Sequence, residues 1–174
     1  MKFSKLILAC SGLLMTGGLV ASEIERDEVK DIVHTTYLAY EFGNSWVDHP
    51  SFGYRFQKGS LIFDVNAGYR YFNSYHSPTH FSKVGINAYT VIHSTDNGQI
   101  YSGVGADFQA LRYDTYYRER KTDYAVQPSV SVGHDFSVNE TQKMFVEFSY
   151  KPYEFGKHEN TAIHSVGMRI GIGF

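Results

Sequence analysis

The residues best equipped for chemistry sit in a few polar stretches. Residues 114–123 (DTYYRERKTD) hold Tyr116, Tyr117, Arg118, Arg120 and Lys121, a set able to pair with phosphates or an acidic surface ligand through charge and stacking. Asp114, Glu119 and Asp123 offset much of that charge, and a solvated loop is the competing reading. His49, His76, His80 and His158 fall in or beside the polar stretches, where imidazole can ligate a metal or move a proton near neutral pH. The spacing of His76 and His80 would place both on one helix face, but Pro78 lies between them, so neither a metal site nor a cofactor is expected. Histidine also stands near hydroxyls and carboxylates: His49 beside Asp48, His76 between Ser74 and Ser77, and His164 beside Ser165. Adjacency in sequence supplies neither an oriented base nor an oxyanion site, so no residue is assigned a catalytic role.

The elements that must position these residues are strands. From residue 32 onward the sequence alternates with period two, the mark of strands with two different faces. The last segment shows it best: Val166, Met168, Ile170, Ile172 and Phe174 share one face, and Ser165, Gly167, Arg169, Gly171 and Gly173 the other. In 60–72, Leu61, Phe63, Val65, Ala67, Tyr69 and Tyr71 oppose Asp64, Asn66, Gly68 and Arg70. The same split recurs in 49–57, 81–93, 99–113, 124–136 and 142–151, with Pro128 awkward inside the ladder of 124–136 and with 32–43 as a less regular first strand. About eight strands result, most near the length of a tilted membrane strand. Tight turns are expected at Lys58-Gly59, Asp96-Asn97-Gly98 and Val138-Asn139-Glu140, alternating with longer loops at 44–47, 73–80, 114–123 and 153–160.

Period two alone does not say which face meets lipid. Glu41, Arg55, Asp64, Arg70, Lys83, Asp107, Asp135, Glu147, Lys151 and Arg169 all fall on one side with both signs mixed, while the opposite side is bulky. The bulky set would overfill an eight-stranded interior. With that set outward, the interior glycines leave room for opposed charges to pair away from lipid. A Lys or Arg on the lipid side would cost about 2–4 kcal/mol at mid-bilayer. The fold expected is therefore all-β: a closed antiparallel up-and-down transmembrane barrel. The aromatic residues Phe56, Phe63, Phe136 and Phe174 are expected near the short turns, and Tyr69, Tyr71, Phe108, Tyr124 and Tyr150 near the long loops.

The remaining sequence sets the compartment. Residues 1–22 combine Lys2 and Lys5 with an apolar stretch and small residues near Ala21 and Ser22, the pattern of a cleaved secretory signal peptide. Residues 23–31 (EIERDEVKD) read as a polar periplasmic tail, and 32–174 as the barrel. The single cysteine, Cys10, lies in the leader, so a mature chain has neither a disulfide nor a cysteine metal site. A formal net charge of −2 gives no field to gather nucleic acid, which is not an expected partner. After the leader no apolar stretch approaches the roughly 18 residues of a membrane helix.

The leader, the alternating strands and the closing SVGMRIGIGF resemble small outer-membrane barrels of the OmpA/OmpX type over nearly the whole mature chain. The resemblance implies a monomer in the outer membrane of a Gram-negative bacterium, in contact with outer-membrane lipids and lipopolysaccharide. A final strand ending on Ile170, Ile172 and Phe174 resembles the signal read by the barrel-assembly machinery. Arg169 departs from the family pattern, which usually has glycine there. Three functions are carried forward: a non-enzymatic barrel with a closed mixed-charge interior and loops for envelope or surface contacts, a lipid A acyltransferase or deacylase, and a narrow passive pore.

Overall fold

The computed structural model describes residues 32–43, 48–74, 77–114, 119–139, 141–152, 155–156 and 165–174. The expected signal peptide and tail, and the loop residues Tyr116, Tyr117 and Arg118, lie outside the described residues. The strands are β1 (Val33–Gly43), β2 (His49–Lys58), β3 (Leu61–Ser74), β4 (Ser77–Thr95), β5 (Gly98–Asp114), β6 (Arg120–Ser137), β7 (Lys143–Lys151), the short β8 (Phe155–Gly156) and β9 (Ser165–Gly173). Every neighbouring pair is antiparallel, and the ring runs from β1 through β7 to β9 and back to β1, with β8 lying against β6. The closing seam pairs Tyr37 with Gly173 through Gly43 with Gly167. A closed ring leaves no strand edge to face lipid, the condition for β structure in a bilayer.

The wall is inverted relative to a soluble barrel. Val104 and Phe108 are each 51% exposed, whereas Asp64 is fully enclosed and Lys83 only 3% exposed. Water would not tolerate that arrangement; a bilayer covering the apolar wall does. The fold is a closed antiparallel transmembrane barrel of eight long strands.

At the short-turn end, Lys58 pairs with Leu61 around Gly59 and Ser60, and Gly59 takes φ +58°, the left-handed conformation that glycine adopts without steric cost. Gly98 has a different reason. It pairs with Thr95 and Phe136 as a strand residue, and a Cβ there would lie 2.1 Å from the Asp135 carbonyl oxygen.

Two of the expected loops are largely strand. In 73–80, Asn73 pairs with Pro78 and Ser74 with Ser77, so β3 and β4 are joined by two residues, 75–76, and short and long connectors do not strictly alternate. In 114–123, Asp114 still pairs with Arg120. The physical reason is that alternation records the contrast between lipid and lumen. Beyond the bilayer both faces meet water, the pattern vanishes, and backbone pairing continues.

Pro128 is accommodated in β6 opposite Ala106. Extending the register of Val130 with Tyr150 toward the loops sets Pro128 against Pro152. Neither has an N–H to give. The ladder breaks there, and the chain rejoins β6 as β8, with Phe155 opposite Val126.

Interior glycines receive aromatic rings. A Cβ on Gly133 would sit 2.4 Å from Tyr101 Cζ, and one on Gly53 would sit 2.1 Å from Tyr37 Cζ. At Gly167 the nearest atom is the Ser149 hydroxyl at 2.9 Å, the end of a side chain that can turn away. Gly133→Ala is expected to lower the urea unfolding free energy in micelles by about 1–3 kcal/mol through overpacking, and Gly167→Ala by markedly less. Equal losses would show that the ring contact is not what makes Gly133 necessary.

Candidate functional site

The middle of the lumen is filled by four charges and four rings contributed by seven of the eight long strands. Arg55 stands directly opposite Asp64 across the β2/β3 hairpin, and Glu147 directly opposite Arg169 between β7 and β9. Arg55 donates from Nε to Asp64 at 2.8 Å, from Nη1 to the Tyr101 hydroxyl at 3.0 Å and from Nη2 to Glu147 at 3.0 Å. Arg169 donates to Glu147 at 2.9 Å, to Asp64 at 3.3 Å, and to the hydroxyls of Tyr37 at 2.8 Å and Tyr89 at 3.0 Å.

The tyrosines pass these bonds on. Tyr37 donates to Asp64 at 2.8 Å, Tyr89 to Glu147 at 3.1 Å and Tyr101 to Glu147 at 3.3 Å. Asn66 and Asn87 each donate to Asp64 at 2.9 Å. The Arg55 guanidinium lies 4.2 Å from the Phe145 ring centroid, a cation–π contact that covers its apolar face. Two arginines and two carboxylates leave no net charge, and among the described residues Arg169 Nε is the one guanidinium nitrogen of the cluster buried without a hydrogen-bond partner.

A second balanced group lies toward the loop end. Lys83 is paired with Glu41 and stands 3.6 Å from Asp107, which also accepts from Lys151 at 2.6 Å. His49 is buried there, 3.7 Å from Glu41 and packed on Phe81. A cavity at this level is lined by His49, Lys83, Asp107, Lys151 and, from below, Glu147 and Arg169. A separate cavity toward the turns is lined by Thr35, Gln57, Asp135 and Lys143 and, from above, Tyr37, Arg55 and Phe145. The central cluster thus forms the floor of one space and the roof of the other. Chemically, the arrangement joins charges from opposite walls of the barrel across the middle of the lumen.

Arg70 and Asp135 stand apart from these ion pairs. Arg70 donates to the Asp48 carbonyl and lies 5.8 Å from the Phe72 ring, while Asp135 accepts from the backbone and side chain of Gln99. Arg120 and Lys121 open β6 on opposite faces, both exposed, with Arg120 held 3.4 Å from Asp114. Nearby Tyr113 donates to Asp123 at 2.9 Å, a bond that holds its phenol above the ordinary range.

Of the residues weighed for catalysis, only His49, Asp48 and Ser165 have described side chains. His76, His158 and His164 lie outside the described residues, as do the side chains of Ser74 and Ser77. Asp48 accepts from the Gly43 N–H, and Ser165 is buried. Among the described residues no group of His, Cys, Asp and Glu is arranged to hold a metal. Phe174, Ile172 and Ile170 form the outer side of β9, and Phe174 is tied by both backbone polar groups to Thr36.

The bridging tyrosines escaped sequence reasoning because their rings suggest the wall. Tyr89 gave the available signal, since it falls on the polar side of β4 beside Lys83, Gly85 and Asn87. Arg169 is explained by the same cluster: it replaces a glycine's open space with the group that joins Glu147 to Asp64.

Comparison with solved structures agrees with this architecture. The chain is similar to Neisserial surface protein A (TM-score 0.59, 13% identity, covering 84% of this chain and 98% of that one). It is also similar to the N-terminal β-barrel domain of Pseudomonas aeruginosa OprF (TM-score 0.58, 11% identity, 84% and 100% covered). A third similar structure is Ail, the attachment invasion locus protein of Yersinia pestis, in complex with the heparin analogue sucrose octasulfate (TM-score 0.54, 12% identity, 82% and 94% covered). No protein-family model matches the chain, and no curated sequence does. The fold is that of the small eight-stranded outer-membrane barrels of the OmpA/OmpX type.

Removing one member of the cluster strands the others. Arg169→Met is expected to cost about 3–5 kcal/mol by leaving Glu147 undercompensated. The double variant Arg169→Met/Glu147→Gln is expected to recover part of that loss, read from urea unfolding in micelles as a double-mutant cycle. Strict additivity would show the two side chains to be energetically independent.

Proposed function

We propose that the protein resides in the Gram-negative outer membrane as a monomeric, non-enzymatic barrel that is closed to ions and solutes and works through its outer wall and its loop end. The observation that carries this reading is the central cluster, in which Arg55, Asp64, Glu147 and Arg169 are joined by Tyr37, Tyr89 and Tyr101 across the whole lumen. An ion crossing at that level must open several charge-assisted hydrogen bonds at once.

With the interior occupied by its own charges, contact with other molecules falls to the exterior. Lipids and lipopolysaccharide meet the wall, and the segment bearing Tyr116, Tyr117 and Arg118, with Arg120 and Lys121 at the start of β6, is the part suited to an acidic surface ligand. Ail, with attachment in its name and a heparin analogue in its structure, supports that reading by analogy of fold. The outward row of Ile170, Ile172 and Phe174 serves recognition by the barrel-assembly machinery.

The purified barrel is expected to leave a planar lipid bilayer electrically silent, and stepwise conductance from the unaltered protein would overturn the closed interior. Lipid A from cells that overproduce the protein is expected to show an unchanged acyl pattern by mass spectrometry. A gained or lost acyl chain would replace this reading with the lipid A-modifying one.

A further inference from the structure

The outer wall carries charge at one place that the sealed interior does not explain. On β5 the outward residues run from Ile100 through Val104 and Phe108 to Ala110 without a charge. The ten steps of strand from Ile100 to Ala110, at a rise of about 3.4 Å and a tilt of about 40°, cover about 25 Å of the bilayer normal, the height of the apolar band of such barrels. The next outward residue is Arg112, exposed, one step beyond Ala110. It therefore stands at headgroup level on the side of the long loops, within reach of the acyl region below and the polar region above.

Arg112 is not isolated. It is in register with His80 on β4 and Thr122 on β6, and His80 is in register with Tyr71 on β3. One outward step nearer the bilayer, Tyr69, Ser82, Ala110 and Tyr124 are aligned across the same four strands. The Tyr69 hydroxyl lies 2.7 Å from His80 Nδ1, and the Tyr71 ring centroid lies 5.1 Å from that of His80. This hydrogen bond orients the His80 ring, and in the tautomer whose Nδ1 accepts from Tyr69 the Nε2–H is a second donor beside Arg112. The nearest outward acid on β5, Asp114, is already taken by Arg120, and among the described residues Arg112 has no ion-pair partner.

We infer that Arg112 and His80, steadied by Tyr69 and Tyr71, form a binding site on the outer wall for a phosphate group of lipid A, with the acyl chains of that glycolipid lying on the apolar wall beneath. This inference rests on the reading of the protein as an outer-membrane barrel with its long loops outward. The glycolipid of the outer leaflet is the occupant that presents phosphate at this depth together with hydrocarbon just below it. A planar guanidinium suits phosphate oxygens, and the apolar neighbours Val84 and Phe108 suit the chains.

The test uses the full mature protein, folded in phosphatidylcholine nanodiscs and titrated with bisphosphorylated lipid A and with phosphate-free lipid A, binding being read by native mass spectrometry. The phosphorylated lipid is expected to bind about tenfold more tightly, the scale of one charge-assisted contact. Arg112→Gln should abolish that preference, and His80→Gln should reduce it. Each variant is first checked for the heat-dependent gel shift and β-type circular dichroism of a folded barrel. Equal affinity for the two lipids, or an Arg112→Gln variant that keeps the preference, overturns the assignment. Displacement of lipid A by millimolar inorganic phosphate would make this a site for the free anion. Tighter binding of a heparin fragment, lost in Arg112→Gln, would make it a site for soluble glycans. Either result overturns the lipid assignment. A chain that does not insert at all defeats the outer-membrane reading as well, whereas an inserted barrel without phosphate preference defeats only the role of Arg112.

Discussion

The charges in the middle and upper lumen are cut off from lipid by the wall and largely from bulk water by their neighbours, so they must answer one another. They do so in two balanced groups, Arg55 and Arg169 against Asp64 and Glu147, and Lys83 and Lys151 against Glu41 and Asp107. Buried ion pairs are weak evidence of stability, since desolvation offsets much of their attraction. Their value here lies in register. Arg55 faces Asp64 and Glu147 faces Arg169 as direct cross-strand partners. A slip of one residue in any of these strands would turn a lumen charge into hydrocarbon. A slip of two would keep the faces but pull the partners apart along the strand. The charges therefore specify one alignment of a wall whose backbone would accept several.

Filling the lumen is the second demand, and the same residues meet it. An eight-stranded barrel has room inside for side chains and little else. Tyr37 lies over Gly53, Tyr101 over Gly133 and Phe145 over Gly171, each ring occupying the place of an absent Cβ. These rings are also the ones that touch the arginines: Arg55 is within 5.3 Å of Tyr37 and 5.1 Å of Tyr101, and Arg169 within 5.5 Å of Phe145. Glycine, ring and guanidinium form one packing unit, so the position of each glycine along its strand is tied to the position of a charge on another. That coupling explains how a residue as large as Arg169 is accommodated: Gly171, the next inward residue of β9, leaves the space that Phe145 needs beside it.

How much of this could be read from the sequence depends on how local the cause was. The wall was legible because the contrast between lipid and lumen imposes period two on each strand separately. The pair of Arg55 and Asp64 was within reach too, because Gly59 fixes the turn between Lys58 and Leu61, and counting outward brings the two together. Glu147 and Arg169 were not, since their register is set across a connection much longer than a turn. The tyrosine hydroxyls were hidden by their rings, and an inward Tyr89 looks like an outward Tyr69 until both neighbours on the strand are weighed. The ends of β3 to β6 were misread as loops because beyond the bilayer no difference between faces remains to be detected.

That loss of pattern has its own meaning. β4, β5 and β6 run for 19, 17 and 18 residues, against 9 for β7 and β9, and about 11 residues at the usual tilt suffice to cross the bilayer. The surplus lies partly at the loop end, where Tyr113 meets Asp123 and Asp114 meets Arg120 across paired backbone. Strand pairing held rigid above the membrane fixes the height and direction of outward side chains in a way that a loop could not. On the proposed reading, a lumen crossed by its own ion pairs leaves the exterior as the surface for contact with other molecules. On this barrel the longest stretch of fixed exterior is the β3 to β6 side, and Arg112 sits where that stretch passes from hydrocarbon into the charged layer above it.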